Sequence, residues 1–598
     1  MKPSFCQGYC IFFLLIAIGG GIFWYTRAQI QPAVRPLPVV TSPASALEQK
    51  QAQTQTISGF VVPHHNIVAD RRAKLFTEIA SSIAQPKTII LLSPNHYEQG
   101  TAAIQTTSQK WSTAEGDIAP DTEFIDILKK QKLVSLEPNS FNNEHGIRLI
   151  LGDIRKNFPQ STIVPLIFKK STSREQTTHL ADVLEQQCPR CLVIASVDFS
   201  HYQPAPLAAM HDEGTIDALN TRDEKYLYDT AEVDSPAALV FLAHWATIHD
   251  TPHFTLADHT NSGVLVHDLD GPTTTHVFGY YTTGESPSPK PSVSFAIAPD
   301  AMFGRWIAHT YAKKGFESIF ADWGERSFWG SDARILNLEG VISDLPINDN
   351  IQTDNLTFRF SPTILKALQF LHLNAVSSAN NHSANGGTHD LAYTRELLTK
   401  NTITTIGGPS TKDTARVGIF PGRGGMRLVV IGAHAVYEKP DITKQIQEYK
   451  KDPLTRVIIF PHWGTEYAAH HNGNQEALAH SWIDAGADAV IGAHPHVIQD
   501  MESYKGKPIL YSLGNFVFDQ AFSQQTQEGL FVSGRFTDEG LTIGVFPTQI
   551  QQGRPRMMIG KRKQEILDTL FSPTQSALQT KPEGKVLFFP NEAYTERQ

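Results

Sequence analysis

The chain has 598 residues, of which 41% are hydrophobic and 19% charged; it is too long for a single core and too apolar for wholesale disorder. A formal net charge of −9 excludes the basic footprint of a nucleic-acid binder, so no nucleic-acid partner is expected. The 24 histidines beside only four cysteines are the compositional oddity, because imidazole is the side chain metals recruit most often.

Lys2 precedes an apolar run at 10–25 that Arg27 closes. With residues 7–9 the run is long enough to cross a bilayer. No small-x-small cleavage site follows, so residues 1–28 read as an uncleaved transmembrane helix, with a cleaved signal as the alternative. An anchor this near the N-terminus places the rest of a single-pass chain outside the cytoplasm. Residues 29–56 are rich in Pro, Gln and Ser without an apolar period, which predicts a disordered linker.

From 57 to 285 short β-rich runs (87–93, 161–168, 191–197) alternate with helical patterns (71–84, 173–187). Cys188 and Cys191 form CPRC between a helix and a strand. Outside the cytoplasm a local disulfide is expected there, since two further zinc ligands at metal-site spacing are missing. A Pro/Ser break at 284–292 leads into a second α/β segment, 292–550. Its strands are expected at 293–298, 333–338, 375–379, 428–432, 456–460 and 489–492, with a terminal strand at 540–551. Helices at 361–371 and 475–485 intervene, and 551–598 forms a C-terminal extension. Two α/β domains result.

Open α/β sheets bind ligands beyond the carboxyl ends of their strands. In the second segment metal-type residues recur at that place: Asp300, Glu339, Asn381 with His382, His462, then His494 and His496 in GAHPH. Singly each reads as a cap or a turn residue; together they form the carboxylate, amide and imidazole mixture that borderline divalent ions prefer. A pair of ions sharing one carboxylate activates water at neutral pH, and His382 is placed to protonate a leaving oxygen.

NLEG (337–340), SANNH (378–382), FPHWGTEY (460–467), GAHPHV (492–497) and YSLGNFVFD (511–519) resemble the CapA family of poly-γ-glutamate capsule synthesis. The resemblance implies a calcineurin-like metallophosphatase sandwich with two divalent ions (Mn, Fe or Zn). By that likeness Asp300 and His496 hold one ion, Asn381, His462 and His494 the other, and Glu339 bridges them. Pro299 stands where the family's opening motif has glycine, and Asn385 where an acidic residue is usual; the latter predicts weaker orientation of His382.

In the first segment VVPHHN (61–66), SPNHY (93–97), NEHG (143–146) and SVDFSHY (196–202) place His64, His96, Asp198 and His201 around one expected pocket. A single Fe, Cu or Zn suits that set, and a polar pocket without metal is the plainer alternative. These motifs, with NSG (261–263) and HVFGY (276–280), resemble the Memo family, also called AmmeMemoRadiSam system protein B. That likeness implies the fold of class III extradiol dioxygenases and puts Glu144 and His145 beside the site. Ser262 replaces the cysteine that some members carry in the closing loop.

The two resemblances together imply a membrane-anchored fusion acting as a di-metal hydrolase in cell-surface polymer biosynthesis or processing, of the poly-γ-glutamate or capsule type. The same activated water attacks phosphoesters or amides, so both substrate classes stay open. Two alternatives differ in kind. One is a non-catalytic scaffold that partners an envelope polymer synthase and uses its metals structurally; the other is a metal-dependent oxygenase in the first domain.

Overall fold

The computed structural model describes residues 56–347, 356–571 and 586–590. The membrane helix expected at 1–28, and all but the last residue of the linker expected at 29–56, lie outside the described residues. Among the described residues no helix is long and apolar enough to cross a membrane.

The first domain is built on one nine-stranded sheet. Its middle holds four parallel strands in the order Ile57–Val62, Leu192–Ser196, Thr88–Pro94, Thr162–Phe168. Antiparallel strands flank them, with Thr273–Thr282 on one side and Ile104–Thr106 on the other. Alternate side chains leave opposite faces, as a pleated strand requires. Val61, Ile90 and Leu92 pack under the helices Arg174–Gln187 and Pro236–Ile248, while Phe60, Ile89 and Leu91 pack under Ala69–Ser82 and Leu151–Asn157. Ser173 starts its helix with a capping box to Gln176, which satisfies two otherwise orphaned N–H groups. Cys188 and Cys191 form a disulfide across the turn into Leu192–Ser196.

The second domain has four layers. One sheet runs Thr404–Ile406, Ala375–Ser377, Ala333–Leu338, Ser292–Ala301, Glu528–Thr537, Gly540–Gln551, Arg554–Met557; the other runs Val417–Pro421, Arg427–Ala435, Thr455–Trp463, Ala489–Ile491, Lys507–Leu510, Met501–Tyr504. Phe295, Ile297 and Ile335 of the first sheet meet Leu428, Val430, Ile458 and Phe460 of the second in a shared core. Outer helices cover the far faces, with Ile307, Leu368 and Leu398 on one side and Ile446, Ala479 and Trp482 on the other.

Three features differ from the sequence expectation. Asp300 and His462 lie inside the last turns of their strands, Ser292–Ala301 and Thr455–Trp463, because pairing continues past the apolar run: Asp300 registers with Asn337 and Asn515, and His462 with His434. Residues beyond 550 belong to the sandwich. Arg554–Met557 and Val586–Pro590 pair with Gly540–Gln551, and Ile566 and Leu570 of the intervening helix Gly560–Phe571 enter the shared core. The strand expected to terminate the sheet is therefore covered on its outer side.

The two domains belong to one compact unit, Thr54–Gln598. Leu207 and Met210 of the first domain join an apolar cluster of the second. Tyr226 donates its hydroxyl to Gly330 O at 2.9 Å, Arg423 lies 3.6 Å over the Tyr226 ring, and Arg535 pairs with Asp217.

Candidate metal centres

All seven residues singled out in the second domain converge where its two sheets meet at the carboxyl ends of their parallel strands. Asp300 ends one strand and Glu339 follows directly on the neighbouring strand Ala333–Leu338; both are fully buried. Asn337, one pleat before Glu339, donates through Nδ2 to Asp300 Oδ1 at 2.8 Å and lies 3.3 Å from His462 Nδ1. This side chain, which sequence reasoning passed over inside NLEG, fixes one acid and one imidazole together. His462 Nε2 sits 2.9 Å from Asn381 Oδ1, 3.1 Å from His494 Nδ1 and 3.9 Å from Glu339 Oε1. His496 reaches Asp300 Oδ2 at 3.4 Å with Nδ1 and Glu339 Oε1 at 3.6 Å with Nε2. Asn515, another residue not singled out, accepts at 3.0 Å from His496 Nδ1.

The GAHPH loop is shaped for this convergence. A Cβ on Gly492 would stand 2.2 Å from Tyr511 O, so glycine is required for the close approach. His494 and His496 have φ of 98° and 58°, a region that costs a non-glycine residue about 1–3 kcal/mol. That backbone turns both rings inward, and the His494 N–H donates to Asp300 Oδ2 at 3.1 Å.

The electrostatics call for a cation. Donor atoms of Glu339, His494 and His496 lie within 4.8 Å of one another. Both Glu339 oxygens are buried without a hydrogen-bond partner, a state that is costly for a carboxylate unless a cation faces it. Burial pushes the Glu339 carboxyl well above its usual range. Burial, helped by neighbouring imidazoles, holds His462 well below its ordinary value and His494 at about 3. Neutral imidazoles are the form that ligates metal. His496 stands apart: burial disfavours its charge, yet Glu339 and Asp300 lift it to about 9. The donor set therefore fits divalent cations.

His382 stacks on Phe358 at 3.9 Å, with Nε2 3.9 Å from Glu339 Oε1. Its Nδ1 donates to Asn385 Oδ1 at 2.9 Å, and the same oxygen accepts the Phe358 N–H at 2.7 Å. The oxygen's identity follows from that second donor. Asn385 thus holds His382 by an amide where an acid was expected, and the ring keeps its orientation without the added negative charge.

In the first domain His64 and Asp198 meet directly at 3.3 Å. His96 Nδ1 is 2.6 Å from Glu144 Oε1, and the His96 ring stacks on His145 at 3.9 Å. Asp234, which sequence reasoning missed, lies 3.4 Å from His64 and 3.6 Å from His96. Its place just before the helix Pro236–Ile248, beside the capping Ser235, reads as an ordinary helix start and hides it. The close groups are His64, His96 and His145, and His64, Asp198 and Asp234. His201 belongs to neither group, yet burial lowers its pKa against the pull of the nearby Asp234 and Asp198 carboxylates, so its ring borders the same pocket. Burial disfavours charge on His96, but the Asp234 and Glu144 carboxylates that face its ring nitrogens lift it to about 10. Asp198 is held low against its own burial by His64 and His276. Asp198 Oδ1 and Asp234 Oδ1 are buried without partners, so this pocket too fits a cation.

Residues 294–520 match the family described as bacterial capsule synthesis protein PGA_cap, and residues 38–268 match Memo-like protein. Among curated proteins the chain is similar to the "PGA biosynthesis protein CapA" of Bacillus subtilis (strain 168), 28% identical over 302 residues covering 47% of this chain and 79% of that protein. The "Capsule biosynthesis protein CapA" of Bacillus anthracis is 33% identical over 286 residues, covering 44% and 69%. A "MEMO1 family protein" of Caldivirga maquilingensis is 30% identical over 192 residues, covering 31% and 67%.

Proposed function

Because the chain belongs to two families at once, the PGA_cap capsule synthesis family through its second half and the Memo-like family through its first, we propose that it is a membrane-anchored fusion whose second domain is a di-metal hydrolase of cell-surface polymer biosynthesis or processing. The observation that carries the reading is Glu339, whose two buried and unpartnered oxygens face three histidines and Asp300. The sandwich with ligands at strand ends agrees with a calcineurin-like metallophosphatase, and the first domain's sheet with the class III extradiol dioxygenase fold. Asp300, His496, Asn381, His462, His494 and Glu339 would hold two ions (Mn, Fe or Zn), and the first-domain pocket one further ion (Fe, Cu or Zn). When bound, the pair would polarise the scissile group and make water acidic enough to attack it at neutral pH.

The chain's own residues supply the rest. Asn337 and Asn515 fix the acid and imidazoles that face the reacting bond. His382, made a stronger acid by burial and oriented through Asn385, presents Nε2 toward the site as the group that, in the protonated ring, passes its proton to the leaving atom. The apolar run at 10–25 supports an anchor, and a disulfide in the first domain suits the oxidising side of the membrane. A synthase of the envelope polymer is the proposed partner.

The test is elemental analysis of the purified full chain together with hydrolysis of phosphoester and amide substrates under added Mn²⁺, Zn²⁺ or Fe²⁺. About two ions in the second domain, lost with turnover in His462→Ala while the fold persists, is the expected result. A metal-replete chain with no ion at this site, or turnover unchanged in that variant, would refute it. Protease accessibility in intact cells checks the proposed topology.

A further inference from the structure

Two exposed aromatic rings stand at the mouth of the second domain's metal centre. Tyr467 is 44% and Phe522 65% exposed. Scattered exposed rings are ordinary, but these two meet, their centroids 5.1 Å apart and their planes at 84°.

Tyr467 is tied to the histidine loop through both its backbone and its hydroxyl. Its N–H donates to Pro495 O at 2.8 Å, between His494 and His496, and its ring lies 6.0 Å from the His496 ring. The hydroxyl accepts from Gln520 Nε2 at 3.1 Å. Gln520 Oε1 in turn accepts from Asn515 Nδ2 at 3.2 Å, and Asn515 Oδ1 accepts from His496 Nδ1 at 3.0 Å. A chain of hydrogen bonds thus runs from the metal centre to its rim. These contacts hold Tyr467 at φ 63°, a left-handed conformation that a bulky residue adopts only where its surroundings impose it.

Glu466, the preceding residue, brings charge to the same place. It is exposed, and among the described residues no lysine or arginine forms an ion pair with it. Its carboxylate acts on Glu339, His382 and His496 of the metal centre and on the Tyr467 hydroxyl, so it faces the opening. The cation nearest this rim is engaged elsewhere: Arg305 lies buried against Phe358 and Phe518 and donates through Nε to Asp519 at 3.2 Å.

An open carboxylate beside two aromatic rings suits an ammonium group. The carboxylate supplies the opposite charge, and the electron-rich ring faces attract the cation and its methyl or methylene shell. An anionic group would meet Glu466, and a purely apolar one would strip water from it without compensation.

We propose that Glu466, Tyr467 and Phe522 form a subsite for an ammonium group that the substrate carries next to its scissile phosphoester or amide, and that these three residues set the specificity of the second domain. As a statement about substrate this rests on the hydrolase reading, but recognition of the ammonium group is measured without turnover.

Phosphocholine and 3,3-dimethylbutyl phosphate differ only in a charged nitrogen that replaces a carbon. Each is titrated calorimetrically into the Mn²⁺-loaded full chain in detergent, and phosphate release is followed in parallel. Phosphocholine should bind about tenfold more tightly. Glu466→Gln and Phe522→Leu should each reduce that preference by roughly threefold, the losses of an exposed ion pair and of one cation–ring contact, and together bring it close to parity. Both side chains are exposed, so neither change disturbs the core. A preference in binding with no release from either ester would count against the hydrolase reading and leave the subsite standing; release from both esters without any preference would do the reverse. Equal binding of the two, binding of neither, or a preference unchanged in both variants would overturn the proposal. So would loss of metal in Glu466→Gln, which would make that carboxylate a ligand of the ions.

Discussion

Glu339 sets opposite expectations for the loaded and the metal-free protein. Its carboxylate is buried and faces no donor, so Glu339→Gln removes a desolvated charge at the expense of a metal ligand. Thermal unfolding should show the variant more stable than wild type in chelator and less stable with metal present, with turnover lower by about 100-fold or more. A variant less stable under both conditions would mean the carboxylate is satisfied in some other way. Asn385 gives a finer expectation. An aspartate there adds negative charge beside His382 Nδ1, which raises the imidazole's pKa. Asn385→Asp should therefore move the alkaline limb of kcat to higher pH, whereas Asn385→Ala, leaving the ring unheld, should lower kcat by roughly tenfold with little change in KM.

At the scale of elements, His244 on the helix Pro236–Ile248 joins two others. It lies 2.8 Å from Glu224 and 2.8 Å from Asp182 on Arg174–Gln187, and the Glu224 carboxylate leads in raising it to about 9. A pKa raised on folding stabilises fully below the unfolded value near 6.5 and loses that contribution as pH rises through 9. With Asp182 half exposed, the effect is about 1 kcal/mol or less. The stability difference between wild type and His244→Gln, followed by urea unfolding, should shrink between pH 6.5 and 9; a constant difference would rule the clamp out. Strands of this kind were legible in the sequence because buried parallel strands are uniform apolar runs. Ala333–Leu338 matches its expected bounds, and Thr162–Phe168 and Arg174–Gln187 differ by one residue. Motifs at strand ends likewise revealed the metal-type residues of the second domain. Illegible were residues whose local role is commonplace: Asn337 within a strand and Asp234 ahead of a capped helix. Their partners are distant in sequence, and only tertiary pairing distinguishes them from caps and turns.

For the whole molecule the two domains are coupled through Leu207 and Met210, which pack into the second domain's apolar cluster. Leu207→Ala should cost about 2–5 kcal/mol and lower one shared unfolding transition seen by probes in both halves. Two separated calorimetric transitions, with only one displaced, would show the domains to be independent. The edge strand Gly540–Gln551 carries a different consequence. Its outer side is covered in two pieces, by Arg554–Met557 and by Val586–Pro590, so a chain cut after residue 551 would present a bare twelve-residue edge able to pair with its neighbours. During synthesis that edge stays open until Val586–Pro590 has left the ribosome. Sealing of this sheet thus waits on the strand Val586–Pro590, and termination before it yields a sticky product rather than a merely shortened one.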